Sequence, residues 1–117
     1  MDSFSKWGFT INGRHVEGSV LLLPSASFLF RVSRLELLTP RSLHVLKLLK
    51  DVELLLIGGG SRPGRLPADA QRWLALHSFA TEVQSTRTAC ATFNFMAQEQ
   101  RPVVSILFPF QSDAKNS

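Results

Sequence analysis

Val52-Glu-Leu-Leu-Leu-Ile57, followed by Gly58-Gly-Gly60, is the stretch that decides the fold. An apolar run of this length, stopped by glycines, reads as a strand buried on both faces, the kind found inside a helix-covered sheet. Upstream, Thr39-Pro40 supplies an N-cap and a proline at the first helical position. Leu43, Leu46 and Leu49 share one face behind it. Lys47 and Lys50 fall in the last turn, where they suit the negative end of the helix. Downstream, Pro67 opens a second helix reaching His77, with Ala70, Trp73, Leu74 and His77 at helical spacing. Residues 80–83 form a short strand, residues 88–98 a third helix, and Val103–Phe108 a last strand ended by Pro109. Strands alternating with helices imply a mainly parallel sheet with helices covering it.

The first third of the chain is β-rich instead. Phe9 to Ile11, the pair Asn12-Gly13, and His15 to Glu17 spell a hairpin, Asn-Gly being the strongest short hairpin signal. Ser19–Leu23 is a continuous apolar run stopped by Pro24. Residues 27–32 alternate, with Phe28, Phe30 and Val32 on one face, as a half-buried strand does. At 117 residues the chain is one domain's worth. The expected organisation is an N-terminal extension at 1–6, a single α/β domain at 7–110 and a polar tail at 111–117.

Hydrophobic residues make up 44% and charged residues 19% of the chain, a globular rather than a disordered balance. Nine Phe, two Trp and no Tyr leave large apolar side chains enough for a core and for a partner surface. The formal net charge of +4 and pI near 10.0 favour acidic surfaces. The basic residues are scattered, Arg62 and Arg65 being one close pair with Arg72 further on, so no nucleic-acid stripe emerges. The single cysteine, Cys90, allows no intrachain disulfide. Neither Val20 to Leu23 nor Val52 to Ile57 approaches the length that spans a bilayer.

No spacing in the chain points to catalysis, a cofactor or a metal. The glycine run lacks the G-x-G-x-x-G order, since Ser61, Arg62 and Pro63 intervene before Gly64, and it lacks a Walker lysine. His15, His44 and His77 lie on different elements, and Cys90 has no CxxC partner. The acids Glu17, Glu36, Asp51, Glu53, Asp69, Glu82 and Glu99 are dispersed. Gly58, Gly59 and Gly60, with Arg62, remain the candidate pocket or loop, because ligands of open α/β sheets sit at that strand end. The third helix carries two apolar stripes, Ala89-Phe93-Met96 and Ala91-Phe95. One domain core accounts for the first; a neighbouring helix or a docking partner accounts for the second. Ala91 and Phe95, with Arg65 on the loop, are therefore the candidate partner surface.

Four segments carry a resemblance: Phe9-Thr-Ile-Asn-Gly-Arg14, Gly18-Ser-Val-Leu-Leu-Leu-Pro24, Leu56-Ile-Gly-Gly-Gly60, and Glu82-Val-Gln-Ser-Thr-Arg-Thr-Ala-Cys-Ala-Thr-Phe-Asn-Phe95. Together they resemble the mitochondrial complex I (NADH:ubiquinone oxidoreductase) assembly factor three family, one branch of a wider set of small α/β domains in archaea, bacteria and mitochondria. The resemblance implies a three-layer single domain, with a mixed central sheet, helices and an additional N-terminal β-hairpin layer. It implies a non-catalytic, chaperone-like assembly factor without cofactor or metal. Such a protein binds a second complex I assembly factor and early quinone-module intermediates of complex I, at the matrix side of the mitochondrial inner membrane, and binds no nucleic acid. A stably bound accessory subunit of a respiratory complex is the alternative; a small-ligand binder or enzyme at the glycine edge comes third. Thr92 and Asn94 fit the family's Thr-aromatic-Asn motif, which adds Asn94 to the candidate pocket. Ser85 stands in place of a usual acid, Gly59 in place of a hydroxyl residue and Phe30 in place of Trp.

Overall fold

A computed structural model of the protein describes residues 3–4 and 8–109. Two sheets organise it. The smaller holds β1 (Ser3–Phe4), β2 (Gly8–Ile11) and β3 (Arg14–Glu17), all antiparallel. Asn12 and Gly13 turn the hairpin with φ of 53° and 78°, the pair of positive values that a twist-matched two-residue turn needs. The expected extension at 1–6 thus contributes a strand through residues 3 and 4. Its remaining residues, and the polar tail at 111–117, lie outside the described residues.

The central sheet contains β4 (Ser19–Leu23), β5 (Ala26–Phe30), β6 (Leu54–Gly59), β7 (Thr81–Gln84) and β8 (Val103–Phe108), in the order β5-β4-β8-β6-β7. β6 pairs in parallel with β7 and β8, whereas β4 runs antiparallel to both β5 and β8. The sheet is therefore mixed. The β-rich first third joins the alternating remainder through one antiparallel seam, β4 against β8.

Side-chain alternation along the central strands sorts the core into two clusters. Leu21, Leu55, Ile57, Val104, Ile106 and Phe108 face one side, where α1 (Pro40–Leu43) and α2 (Ala68–Leu76) bring Leu43, Ala70 and Leu74. Val20, Leu22, Leu56, Val103 and Leu107 face the other, where α3 (Thr86–Gln98) brings Ala89, Cys90, Phe93 and Met96 and the hairpin brings Phe9 and Ile11. The three layers are thus α1 and α2, the mixed sheet, and α3 beside the small sheet. The buried serine of β8, Ser105, donates to the carbonyl of Leu56 at 3.0 Å, so its hydroxyl is not orphaned.

Two local expectations need correction. The first helix begins as read, with a reciprocal cap in which Ser42 N–H donates to Thr39 Oγ1 at 3.1 Å and Thr39 N–H donates to Ser42 Oγ at 2.9 Å. After one turn it tightens to a 3₁₀ segment, His44–Leu48. Leu43 and Leu46, three residues apart, are both buried, in keeping with the 3₁₀ period, and Leu49 already lies in extended backbone after the segment. Second, the strand over residues 27–32 is half-buried only toward its end, where Phe30 and Val32 pack against the core, while Phe28 is left exposed. β5 occupies the sheet edge, and Phe28 and Leu29, on opposite faces, are 55% and 72% exposed. Alternation reports which face a residue is on, not whether anything covers that face.

Candidate interaction surfaces

The glycine run does not form an open turn. Gly58 and Gly59 are the last residues of β6, and only Gly60 has a positive φ, 91°. A Cβ on Gly58 would lie 2.9 Å from Leu107 Cδ2, 3.0 Å from the Thr86 Cα and 3.1 Å from the Ala89 Cβ. Glycine is what lets α3 lie against the sheet here. A Cβ on Gly59 would meet Pro63 Cβ at 2.9 Å and Leu35 Cδ2 at 3.0 Å, so in this chain the place of the family's hydroxyl is filled by packing.

The amide that a phosphate would use is already engaged. Gly60 N–H donates to Thr86 Oγ1 at 2.8 Å, the Thr86 hydroxyl donates to the Phe108 carbonyl at 2.6 Å, and Thr86 N–H donates to the Gly60 carbonyl at 2.9 Å. Thr86, fully buried at the first turn of α3, therefore clasps the ends of β6 and β8 to the helix. Nothing in the sequence distinguished Thr86 from the other hydroxyl residues around it. Ser85 caps the helix by accepting from Thr88 N–H at 3.2 Å. Serine and an acid both supply a capping oxygen, so the departure at Ser85 leaves α3 properly started.

The other candidate residues divide between the loop after this edge and the far part of α3. Arg62 and Arg65 are exposed on the loop between β6 and α2. The Glu36 carboxylate approaches the same loop, since a Cβ on Gly64 would lie 2.5 Å from Glu36 Oε2. Asn94 is half-buried on α3, eight residues past Thr86, or about 12 Å along the helix at 1.5 Å per residue. It belongs to a different part of the surface from Gly60, because a helix running away from the strand ends carries its later residues with it.

Of the two stripes on α3, Ala89, Phe93 and Met96 are buried against the sheet, while Ala91 and Phe95 are exposed, Phe95 at 59%. No neighbouring helix covers them among the described residues. Cys90 sits on the buried side, and burial pushes its thiol from the usual value near 9.0 up to about 12. It stays protonated and packs as a small apolar group.

A second apolar surface lies at the opposite edge of the sheet, where the sequence placed none. Phe28, Phe30 and Val32 form one wall of a groove of about 520 Å³, Val45, Leu48 and Leu49 the other, and Leu21 and Leu23 the floor. Phe28, Leu29, Val45 and Leu48 are all exposed, Leu48 at 80%, which makes the patch larger than isolated surface hydrophobics explain.

Two histidines that the sequence left unrelated come together on one tryptophan. The His77 ring stacks on Trp73 with centroids 4.1 Å apart, and the His44 ring approaches the same indole at 6.2 Å. His77 Nδ1 lies 2.9 Å from the Trp73 carbonyl. This is an aromatic cluster; among the described residues no group of three or more His, Cys, Asp or Glu could hold a metal ion.

Residues 1–108 match a family described as a protein of unknown function, DUF498/DUF598. A protein from Danio rerio, called NADH dehydrogenase (ubiquinone) 1 alpha subcomplex assembly factor 3, is 39% identical over 92% of this chain and 62% of its own length. The protein of that name from Homo sapiens is 36% identical over 93% of this chain and 60% of its own length. The chain thus spans about three fifths of the curated relatives it matches. Among solved structures, one described as an outer membrane protein from Bartonella henselae superposes with a TM-score of 0.82 at 28% identity, covering 92% of both chains.

Proposed function

The chain belongs to the DUF498/DUF598 family, and from that premise we propose that it is a non-catalytic assembly factor for mitochondrial respiratory complex I. The observation that carries this reading is the name shared by relatives 39% and 36% identical across more than nine tenths of the chain. The surface chemistry supports it. An assembly factor holds partly built subunits by complementary surfaces, and this domain exposes apolar side chains at Phe95 and around the Phe28–Leu48 groove. Its basic charge suits acidic partners or anionic lipid.

In its finer form the reading has the protein bind a second assembly factor and early quinone-module intermediates, peripherally at the matrix side of the inner membrane. No helix among the described residues is long and apolar enough to cross a membrane. Ala91, Phe95 and Arg65 are the proposed partner contacts.

Deleting the gene in the cells that carry it, followed by native gels of the respiratory complexes, tests the function. Assembled complex I should fall while the other complexes persist, and the protein should migrate with subcomplexes. Normal complex I in a clean deletion would overturn the reading. Migration with the mature enzyme would replace it by that of an accessory subunit.

A further inference from the structure

Edge strands of soluble proteins are ordinarily shielded by charges, proline, bulges or a covering element, because a row of free backbone donors and acceptors invites another strand. β5 has none of these. Ala26-Ser-Phe-Leu-Phe30 contains no charge and no proline, and among the described residues it pairs with β4 alone, without a break in register. One of its faces is apolar: Phe28 and Phe30 line the groove opposite Val45 and Leu48. The hairpin side is mixed, with Leu29 and Val16 beside Arg14, His15, Glu17 and Ser27. An incoming strand would find apolar seats for its side chains on the groove face.

The charge around this edge says what kind of strand. Residues 18–50 carry Arg31, Arg34, Arg41, Lys47 and Lys50 against one acid, Glu36. Glu17 and Asp51 stand at the two ends of this segment, and with them counted it still keeps an excess of basic residues. Arg31 lines the groove itself, and Arg41, Lys47 and Lys50 are exposed on or just after the helical wall that supplies Val45, Leu48 and Leu49.

We propose that the β5 edge and its groove bind an extended apolar segment of another protein, flanked by acidic residues, which adds to the central sheet as a sixth strand. A second copy of this chain is a poorer occupant, since it would bring the same cations to the same edge. A bilayer is poorer too: acyl chains cannot satisfy the free amides and carbonyls of β5, whereas a strand pairs with them. The inference stands whether or not the complex I reading holds, because it rests on this edge alone.

The test uses a synthetic ten-residue peptide of alternating Val and Thr flanked by Asp, with a Lys-flanked counterpart. Fluorescence anisotropy measures binding, and amide exchange follows Ala26–Phe30. The acidic peptide should bind at least about tenfold more tightly than its basic counterpart, lose most of that preference in about 0.5 M salt, and slow exchange in β5. Leu48→Glu and Leu29→Asp should each weaken binding by about tenfold, and because both residues project into solvent their melting curves should match the wild type. Equal binding of the two peptides would overturn the proposal, as would wild-type affinity in both variants or unchanged exchange in β5. So would a wild-type dimer that Leu29→Asp dissolves, which would give the edge to a second copy. Co-sedimentation with phosphatidylglycerol vesicles without peptide binding would give it to a membrane.

Discussion

Replacing Thr86 by Val removes one hydroxyl and leaves the shape of the side chain nearly unchanged. The structure makes that small change expensive. The hydroxyl accepts from Gly60 N–H and donates to the Phe108 carbonyl, and Gly60, Thr86 and Phe108 are all buried. A buried donor or acceptor without a partner costs about 1–3 kcal/mol. The valine variant orphans the amide fully and the carbonyl at one of its two lone pairs, which puts the loss at about 2–4 kcal/mol. Thr86→Ser keeps both hydrogen bonds and gives up one methyl, roughly 1 kcal/mol. For a domain of this size the valine variant should melt about 10–20 °C below the wild type and the serine variant only a few degrees below. Scanning calorimetry reads both, and urea titration gives the free-energy difference. Valine melting like the wild type, or serine melting below valine, would refute the clasp.

Phe93→Ala should cost about 3–5 kcal/mol, transfer and cavity terms together, because Phe93 is buried between α3 and the sheet. Phe95→Asp should stay within about 1 kcal/mol of wild type, since that ring is already more than half exposed, yet it should weaken capture of an assembly partner; urea melts and pull-downs decide, and equal destabilisation would return Phe95 to the core. The raised thiol pKa of Cys90 has a definite sign in stability. The neutral thiol's contribution is whole below the unfolded value near 9.0 and is lost as pH rises toward about 12. The stability gap between wild type and Cys90→Ala should therefore narrow from pH 7.5 to pH 10, and a constant gap would show that burial does not hold the thiol protonated.

Much of this fold is written locally. The Asn12-Gly13 turn, the Thr39-Pro40 cap and the run Leu54 to Ile57 each carry their conformation in a few adjacent residues, through positive φ, a capping hydroxyl or uninterrupted apolarity; the turn and the cap appear where those signals place them, and the strand begins at Leu54, after the exposed Glu53. The stripe Ala89-Phe93-Met96 likewise named the buried face of α3, because helical period and burial share one geometry. Boundaries were softer: β6 absorbs Gly58 and Gly59 because a strand between two partners continues as long as its neighbours bond to it.

What the sequence could not contain is which residues distant in the chain become neighbours. Phe28 and Leu29 alternate like those of any half-buried strand, and only the sheet order puts them at an uncovered edge beside Val45 and Leu48. Gly60 reads in the sequence as part of a candidate pocket at a strand end, and only the fold sets Thr86, 26 positions later, against its amide. Composition, caps, turns and hydrophobic period are properties of neighbours along the chain, and the sequence alone determined those. Sheet order, exposed edges and satisfied amides depend on pairings across it, and there only the tertiary structure decided.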